Sequence, residues 1–199
     1  TSAQRIALEQ IIDDLQRSSP MNRLLQGEVG SGKTIVALLA AVVVMENGFQ
    51  VALLSPTEIL AEQHYRTASE VLKDSRFEIG LVTGSMNTKI RRETISRLEA
   101  GKTQMVIGTH ALLGENVKFR HLSMVVIDEQ HRFGVQQRFR IRSKGITPDV
   151  LVMTATPIPR TLAMTIYGDL DISTIRDLPP GRRPVKTTAR SERCRDEVY

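Results

Sequence analysis

Residues 27 to 34 read Gly27-Glu28-Val29-Gly30-Ser31-Gly32-Lys33-Thr34. A glycine, four open positions, then Gly, Lys and Thr is the spacing of a phosphate-binding loop. Its setting matters as much as its letters. Leu24, Leu25 and Gln26 precede it as a short strand, and an apolar run from Ile35 to Val44 follows as a helix, the strand-loop-helix context the motif requires. Gly27, Gly30 and Gly32 permit backbone conformations closed to residues with a Cβ, so that N–H groups converge on phosphate oxygens. The helix starting near Lys33 adds its unpaired amino-terminal N–H groups. Lys33 is expected to reach the β- and γ-phosphates, and the Thr34 hydroxyl to take one position on Mg²⁺, an ion that prefers an octahedron of oxygens. The implied ligand is ATP, held along 27–34 with Glu28, Val29 and Ser31 in the loop.

A second stretch, Asp128-Glu129-Gln130-His131, follows the apolar run Met124-Val125-Val126-Ile127. An uninterrupted run of this kind is expected of a parallel strand buried on both faces. Asp128 then emerges at the strand's carboxyl end, where doubly wound α/β folds bind ligands, and is the second expected holder of Mg²⁺, through water. Glu129 is placed to accept a proton from the water that attacks the γ-phosphate. A solvated acidic turn is the plainer alternative, but two acids closing a buried strand are unusual without a cation.

Thr154-Ala155-Thr156 closes another apolar strand, Val150 to Met153. Its small hydroxyl residues can exchange hydrogen bonds when a ligand changes, although a plain strand-to-helix turn before Pro157 and Pro159 would read the same way. Gln130, His131, Thr154 and Thr156 are the expected coupling residues, with Gln130 and His131 reaching the γ-phosphate or the 154–156 segment.

Around these motifs the chain alternates strands and helices. Strands are expected at 23–26, 51–55, 78–83, 104–108, 124–128 and 150–154, with helices at 2–17, 33–46, 58–73, 88–100, 135–142 and 159–166. This alternation predicts an α/β fold with a mostly parallel sheet covered on both faces by right-handed crossovers. From Asp177 the texture changes to Asp-Leu-Pro-Pro-Gly-Arg-Arg-Pro, which removes helical options. The expected division is a domain over 1–178 and a linker over 179–199.

With 199 residues, 41% of them hydrophobic, the chain can bury one sizeable core. It has no apolar run of 18 residues and no signal-like start, so membrane spanning and export are not expected. Cys194 is the single cysteine, which excludes an internal disulfide, fits a reducing cytoplasm and leaves no zinc cluster. The net charge of +5, from 27 Lys and Arg against 22 Asp and Glu, permits nucleic acid without proving it. Arg132, Arg138, Arg140, Arg142 and Lys144 either form a basic surface beside the site or a solvated helix face. Three Tyr, five Phe and no Trp argue against a base-stacking platform. Any contact with DNA should therefore run along its backbone.

The motif series resembles the first motor domain of superfamily-two DEAD/DEAH-type helicases, and within them the RecG family of bacterial branch-migration helicases. The resemblance is carried by Thr1–Arg5, 27–34, Ser55-Pro56-Thr57-Glu58-Ile59-Leu60-Ala61-Glu62-Gln63-His64, Gly108-Thr109-His110-Ala111-Leu112, 128–135 and Met153–Ala163, nearly the whole chain. It implies a RecA-like P-loop fold and an ATP-driven motor acting on branched double-stranded DNA in fork reversal, junction migration, recombination and repair, in the bacterial cytoplasm at the nucleoid. It also implies that Gln4 reads the adenine edge, which a Gln amide can do with one donor and one acceptor. Pro56, Thr57, Glu58, Gly108, Thr109 and His110 then lie where such motors grip one strand's phosphates with loop amides and hydroxyls.

Motors of the transcription-repair coupling type are similar over 132–135 and 153–161, but differ at the positions of Ser31, Glu58 and Gln130. Glu28 departs from the Asp usual in RecG-like loops, a change that keeps the charge. Phosphoryl-transfer motors stabilise charge on the γ-phosphate with an Arg worth about 10³ to 10⁵ in rate, and this family supplies it from a second RecA-like lobe. The chain is thus expected to be a first lobe that binds ATP-Mg²⁺ and hydrolyses it poorly alone. The places of Arg160 and Arg176, at DNA, partner lobe or solvent, stay open. A small-molecule kinase or a non-catalytic, nucleotide-gated interaction module are the other classes; a kinase has no use for the 128–131 and 154–156 pair, and a module predicts that Glu129→Gln changes nothing.

Overall fold

A computed structural model describes residues 1–129, 141, 144–145, 147–156 and 170–177. In chain order these are α1 (Ser2–Leu15), β1 (Asn22–Gly27), α2 (Lys33–Glu46), β2 (Gln50–Leu54), α3 (Glu58–Val71), β3 (Ile79–Val82), α4 (Thr88–Glu99), β4 (Met105–Gly108), a 3₁₀ turn (His110–Leu113), β5 (Leu122–Asp128), β6 (Asp149–Thr154) and β7 (Asp171–Ile175). The strands form one seven-stranded sheet in the order β3-β4-β2-β5-β6-β1-β7, and every pairing is parallel.

Side chains that alternate along a strand feed two cores, one on each face of the sheet. Val51 and Leu53 of β2, Met105 and Ile107 of β4, and Met124 and Val126 of β5 pack with α1, α2 and α3. Their neighbours Ala52, Leu54, Val106, Val125 and Ile127 turn to the other face, against Ile95 and Leu98 of α4 and Leu112 and Leu113 of the 3₁₀ turn. Burial on both faces explains why β2 after Gln50, and β4, read as unbroken apolar runs with every residue buried, since neither face meets water.

The helices start where their caps dictate. The Thr57 side chain accepts from the Leu60 N–H at the start of α3, and Asn87 accepts from Lys89 before α4, each satisfying a donor the helix leaves unpaired. In α1, Thr1 and Gln4 form a capping box. This helix is tied to the sheet by Arg23, a buried residue of β1 whose Nε donates to Asp14 Oδ2 at 2.6 Å and whose Nη1 donates to Ser173 Oγ of β7 at 2.9 Å. Removing one partner of a buried pair costs about 3–5 kcal/mol, so the network holds α1, β1 and β7 in one arrangement.

Six strands and four helices coincide with the expected segments to within three residues at each end. β7 was not anticipated. It supplies only Ile172 and Ile175 as apolar side chains and pairs on one side, with β1, so it lacks the apolar run of a central strand. The 3₁₀ turn also falls in a stretch expected to be a loop. The helices expected at 135–142 and 159–166 and the linker at 179–199 lie outside the described residues, apart from buried Ile141.

Candidate nucleotide site and the adjoining strand-end loops

Three motifs far apart in sequence meet because β5, β6 and β1 are neighbours in the sheet. Asp128 pairs with Met153, and Gln26 with Thr154. The carboxyl ends of these strands therefore deliver the 27–34 loop, Asp128-Glu129 and Thr154-Ala155-Thr156 to one rim. The chain leaves β1 for β2 toward the β3 edge of the sheet but leaves β6, the neighbour of β1, for β7 at the opposite edge, and such a switch point opens the crevice where α/β folds bind ligands.

The loop itself is shaped by its glycines. Gly30 and Gly32 have φ of 83° and 86°, left-handed values that glycine adopts without steric cost. A Cβ on Gly32 would also lie 2.1 Å from Gln4 Nε2, so a side chain here would push the Gln4 amide off the loop besides straining the backbone. Gly32 is the N-cap of α2 and provides no side-chain cap. The first N–H groups of α2 consequently face the loop, the arrangement that binds anions at helix starts. Val29 stands 77% exposed at the loop's crest.

Lys33 points into this cradle, its Nζ donating to the carbonyls of Gly27 at 2.7 Å and Glu28 at 2.9 Å. Burial pushes its ammonium below the usual lysine range, while the charges of Glu129 and Asp128 pull in the opposite direction. A desolvated cation beside two carboxylates is an electrostatic setting suited to an anion and a divalent metal together. Gln4 lies against the loop from α1 and donates through Nε2 to the Ser31 carbonyl at 2.8 Å.

Glu129 has a φ of 49°, the one positive value outside glycine among the described residues. Such a conformation costs a residue with a Cβ of order 1–3 kcal/mol and needs its surroundings to hold it. Here the Glu129 N–H donates to the Met153 carbonyl at 3.0 Å. Its carboxylate accepts from the Ala155 N–H at 3.1 Å and the Thr154 hydroxyl at 3.3 Å, and Thr154 Oγ1 in turn accepts from the Thr156 N–H at 3.1 Å. Glu129 thus contacts the 154–156 segment; Gln130 and His131, expected to reach that segment or the γ-phosphate, lie outside the described residues.

His64, on α3, was not singled out as a site residue, yet its Nε2 lies 2.8 Å from Asp128 Oδ2. No sequence signal within α3 announces this contact, which exists only because the helix, packed against β3 and β4, brings His64 to the carboxyl end of β5.

Over residues 1–165 the chain matches the DEAD/DEAH box helicase family model. The chain belongs to that family. Among DEAD/DEAH helicases it is 52% identical over 201 residues to the ATP-dependent DNA helicase RecG of Aquifex aeolicus, covering all of this chain and 25% of the relative. It is also 52% identical to RecG of Haemophilus influenzae, with 100% and 29% covered. The structure of RecG bound to a three-way DNA junction superposes with a TM-score of 0.85 at 45% identity, over the whole chain and 26% of that protein. A DEAD box protein from Methanococcus jannaschii shares the fold, with a TM-score of 0.68 at 18% identity over 88% of this chain and 49% of the other. The chain spans about a quarter of the length of the curated RecG relatives.

The second expected region of this DEAD/DEAH domain lies at the carboxyl ends of β2 and β4, and its residues are used differently. Gly108 has a close-packing reason to be glycine, since a Cβ would sit 2.1 Å from the Val82 carbonyl. Thr109 is buried, and its hydroxyl accepts from the Ala111 N–H to cap the 3₁₀ turn. Of that stretch only His110 is exposed. Thr57 is exposed but caps α3. The Glu58 carboxylate accepts from the Ser85 N–H at 3.0 Å and the Ser85 hydroxyl at 2.5 Å, and the Ser85 hydroxyl is the main cause holding it below the usual carboxylate range. Glu58 therefore organises the 84–85 turn. Ser85 is a further loop residue that sequence reasoning missed.

Lys144, expected in a basic surface or on a solvated helix face, is half-buried instead and donates to the Gly114 and Val117 carbonyls at 2.8 and 2.7 Å. The other members of that run, like Arg160, lie outside the described residues, and Arg176 is exposed just after β7. No helix of the described residues is long and apolar enough to cross a membrane.

Proposed function

We propose that the chain is the nucleotide-binding first motor lobe of an ATP-dependent DNA helicase of the RecG type, acting on branched double-stranded DNA with a second RecA-like lobe of the same polypeptide. The observation that carries this reading is the meeting of Lys33, Asp128, Glu129 and Thr154 at the carboxyl ends of three adjacent strands. The identity to RecG helicases supports the choice of DNA motor over kinase.

In this reading the N–H groups of 30–34 and Lys33 Nζ bind the ATP phosphates, Lys33 exchanging the Gly27 and Glu28 carbonyls for phosphate oxygens. Gln4, already against Ser31, borders the adenine. Thr34 and Asp128 would hold Mg²⁺. Their oxygens suit a hard cation, and among the described residues no three or more His, Cys, Asp and Glu side chains are grouped to hold a metal alone, in keeping with an ion that retains water and shares phosphate oxygens. When bound, Mg²⁺ neutralises charge on the β- and γ-phosphates. Glu129 takes a proton onto its carboxylate from the attacking water, and the Ala155 N–H and Thr154 hydroxyl orient that carboxylate. Proton gain on Glu129 weakens both bonds, and through Thr154 Oγ1 reaches the Thr156 N–H. The 154–156 segment thereby registers the state of the nucleotide. The N–H groups of Thr57 and Glu58 at the start of α3, with exposed His110, face the DNA backbone beside the 84–85 turn that Glu58 holds, and the protein works in the bacterial cytoplasm at the nucleoid. Residues 1–178 form the lobe and 179–199 the linker to its partner.

The test is ATP hydrolysis by the full-length polypeptide on a three-way junction and on linear duplex. Turnover stimulated by the junction and lost in Glu129→Gln, with nucleotide binding kept, is the expected result. Nucleotide binding with no junction-stimulated turnover, and no change in Glu129→Gln, would favour a nucleotide-gated module and sink the motor reading.

A further inference from the structure

We infer that His64 is a positioning residue for Asp128, fixing its carboxylate so that Oδ1 is presented to the Mg²⁺ of a bound nucleotide. The inference rests on the nucleotide-site reading above.

Nε2 of His64 lies 2.8 Å from Asp128 Oδ2, and the two side chains are 11% and 13% exposed. A carboxylate oxygen accepts, so Nε2 carries the hydrogen. The bond occupies one oxygen of Asp128 and stops rotation of the carboxylate about its last torsion, which is otherwise broad. The other oxygen is left with a defined direction. Asp128 closes β5 beside Met153 of β6, so the strand sets its backbone while His64 sets its side chain.

His64 is itself held rigidly. It sits two turns into α3, whose start is capped by Thr57 and whose buried residues Ala61 and Ala68 lie in the core beneath β2, β4 and β5. Ala61 and Ala68 bracket His64 at three and four residues, on the face of the helix turned to the sheet. An imidazole on this inner face would be costly without a partner, because burying an unpaired polar group costs about 1–3 kcal/mol. Asp128 is that partner. Outer partners of ligating carboxylates set the geometry of a metal site, and their loss typically costs about 10- to 100-fold in metal affinity.

The experiment is a Mg²⁺ titration of nucleotide binding by this chain, read as the rise in unfolding temperature at fixed ATP and by calorimetry, in the wild type, His64→Leu and His64→Gln. The Gln amide keeps a donor near the Nε2 position, whereas Leu keeps bulk alone. We expect the Mg²⁺ concentration at half effect to rise about tenfold or more in His64→Leu and to return most of the way in His64→Gln, with ATP binding in excess chelator unchanged in all three. Equal Mg²⁺ dependence of His64→Leu and wild type would overturn the inference. A uniform loss in both variants, with and without Mg²⁺, would also overturn it by making His64 a packing residue. Failure of the wild type itself to respond to ATP, or a response that survives Lys33→Ala, would instead remove the nucleotide-site reading on which it stands.

Discussion

The carboxyl ends of β5, β6 and β1 and those of β2 and β4 lie on the same rim of one sheet, yet they spend their polar groups in opposite ways. At the first, Lys33, Asp128 and Glu129 are held by one to three hydrogen bonds each in directions that leave charge concentrated in one crevice. At the second, Gly108 fills a contact with Val82, Thr109 and Thr57 cap helical turns, and Glu58 ties down Ser85. One end is organised for chemistry on a charged ligand. The other is organised to hold its own turns and helix starts still, which under the proposed function is the form a grip on a phosphate backbone would take.

This contrast makes substitutions at the two ends fail differently. The largest effect is expected for Glu129→Gln, which should lower turnover of the full-length protein by about 10² to 10⁴ with little change in stability; a steady-state assay beside thermal unfolding checks both halves. Gly108→Ala should do the reverse. Its Cβ would meet a backbone oxygen that cannot move aside, so about 3 kcal/mol of stability should be lost while nucleotide affinity per folded molecule is kept, as denaturant unfolding and calorimetry would reveal. Thr109→Ala removes a cap and should cost about 1 kcal/mol. A large loss of DNA affinity in that variant, out of proportion to its stability, would break the comparison by putting the Thr109 hydroxyl on the DNA.

The amino ends of the strands serve as a control for both. Asp149 accepts from the Met21 N–H at 2.6 Å, and burial, aided by the charge of Asp14, holds its carboxyl above the usual range. The fold therefore binds its proton more tightly than the unfolded chain. Its contribution is complete below the ordinary carboxylate range near about 4 and is lost as pH rises through the folded value. Asp149→Asn keeps an acceptor without the charge, so its stability relative to the wild type should rise between acid and neutral pH, a small change visible in paired melts at both. Nucleotide binding should be indifferent to it.

The nucleotide end was legible because its requirements are local. Gly32 needs a left-handed φ, α2 needs a start without a side-chain cap, and β5 needs an apolar run before Asp128, so each leaves a mark in consecutive letters. The other end was legible only in outline. That Thr109 is buried, that Glu58 binds Ser85 rather than facing phosphate, and that His64 reaches Asp128 depend on packing between segments 27 to 64 residues apart, or on a neighbouring turn that no periodicity reveals. The same reason hid β7, an edge strand whose apolar content is two isoleucines, and the place of Lys144, whose ammonium is taken up by two carbonyls.

Thermal unfolding of the chain with and without ATP-Mg²⁺, in the wild type and in Lys33→Ala, tests most directly whether the 27–34 loop and its strand-end partners form a nucleotide site. A ligand that binds only the folded state stabilises it by about 2.7 kcal/mol at a hundred times its Kd. The account predicts a rise in unfolding temperature that grows with ATP-Mg²⁺ concentration and disappears in Lys33→Ala; no rise at millimolar ATP-Mg²⁺, or an equal rise in both proteins, would contradict it.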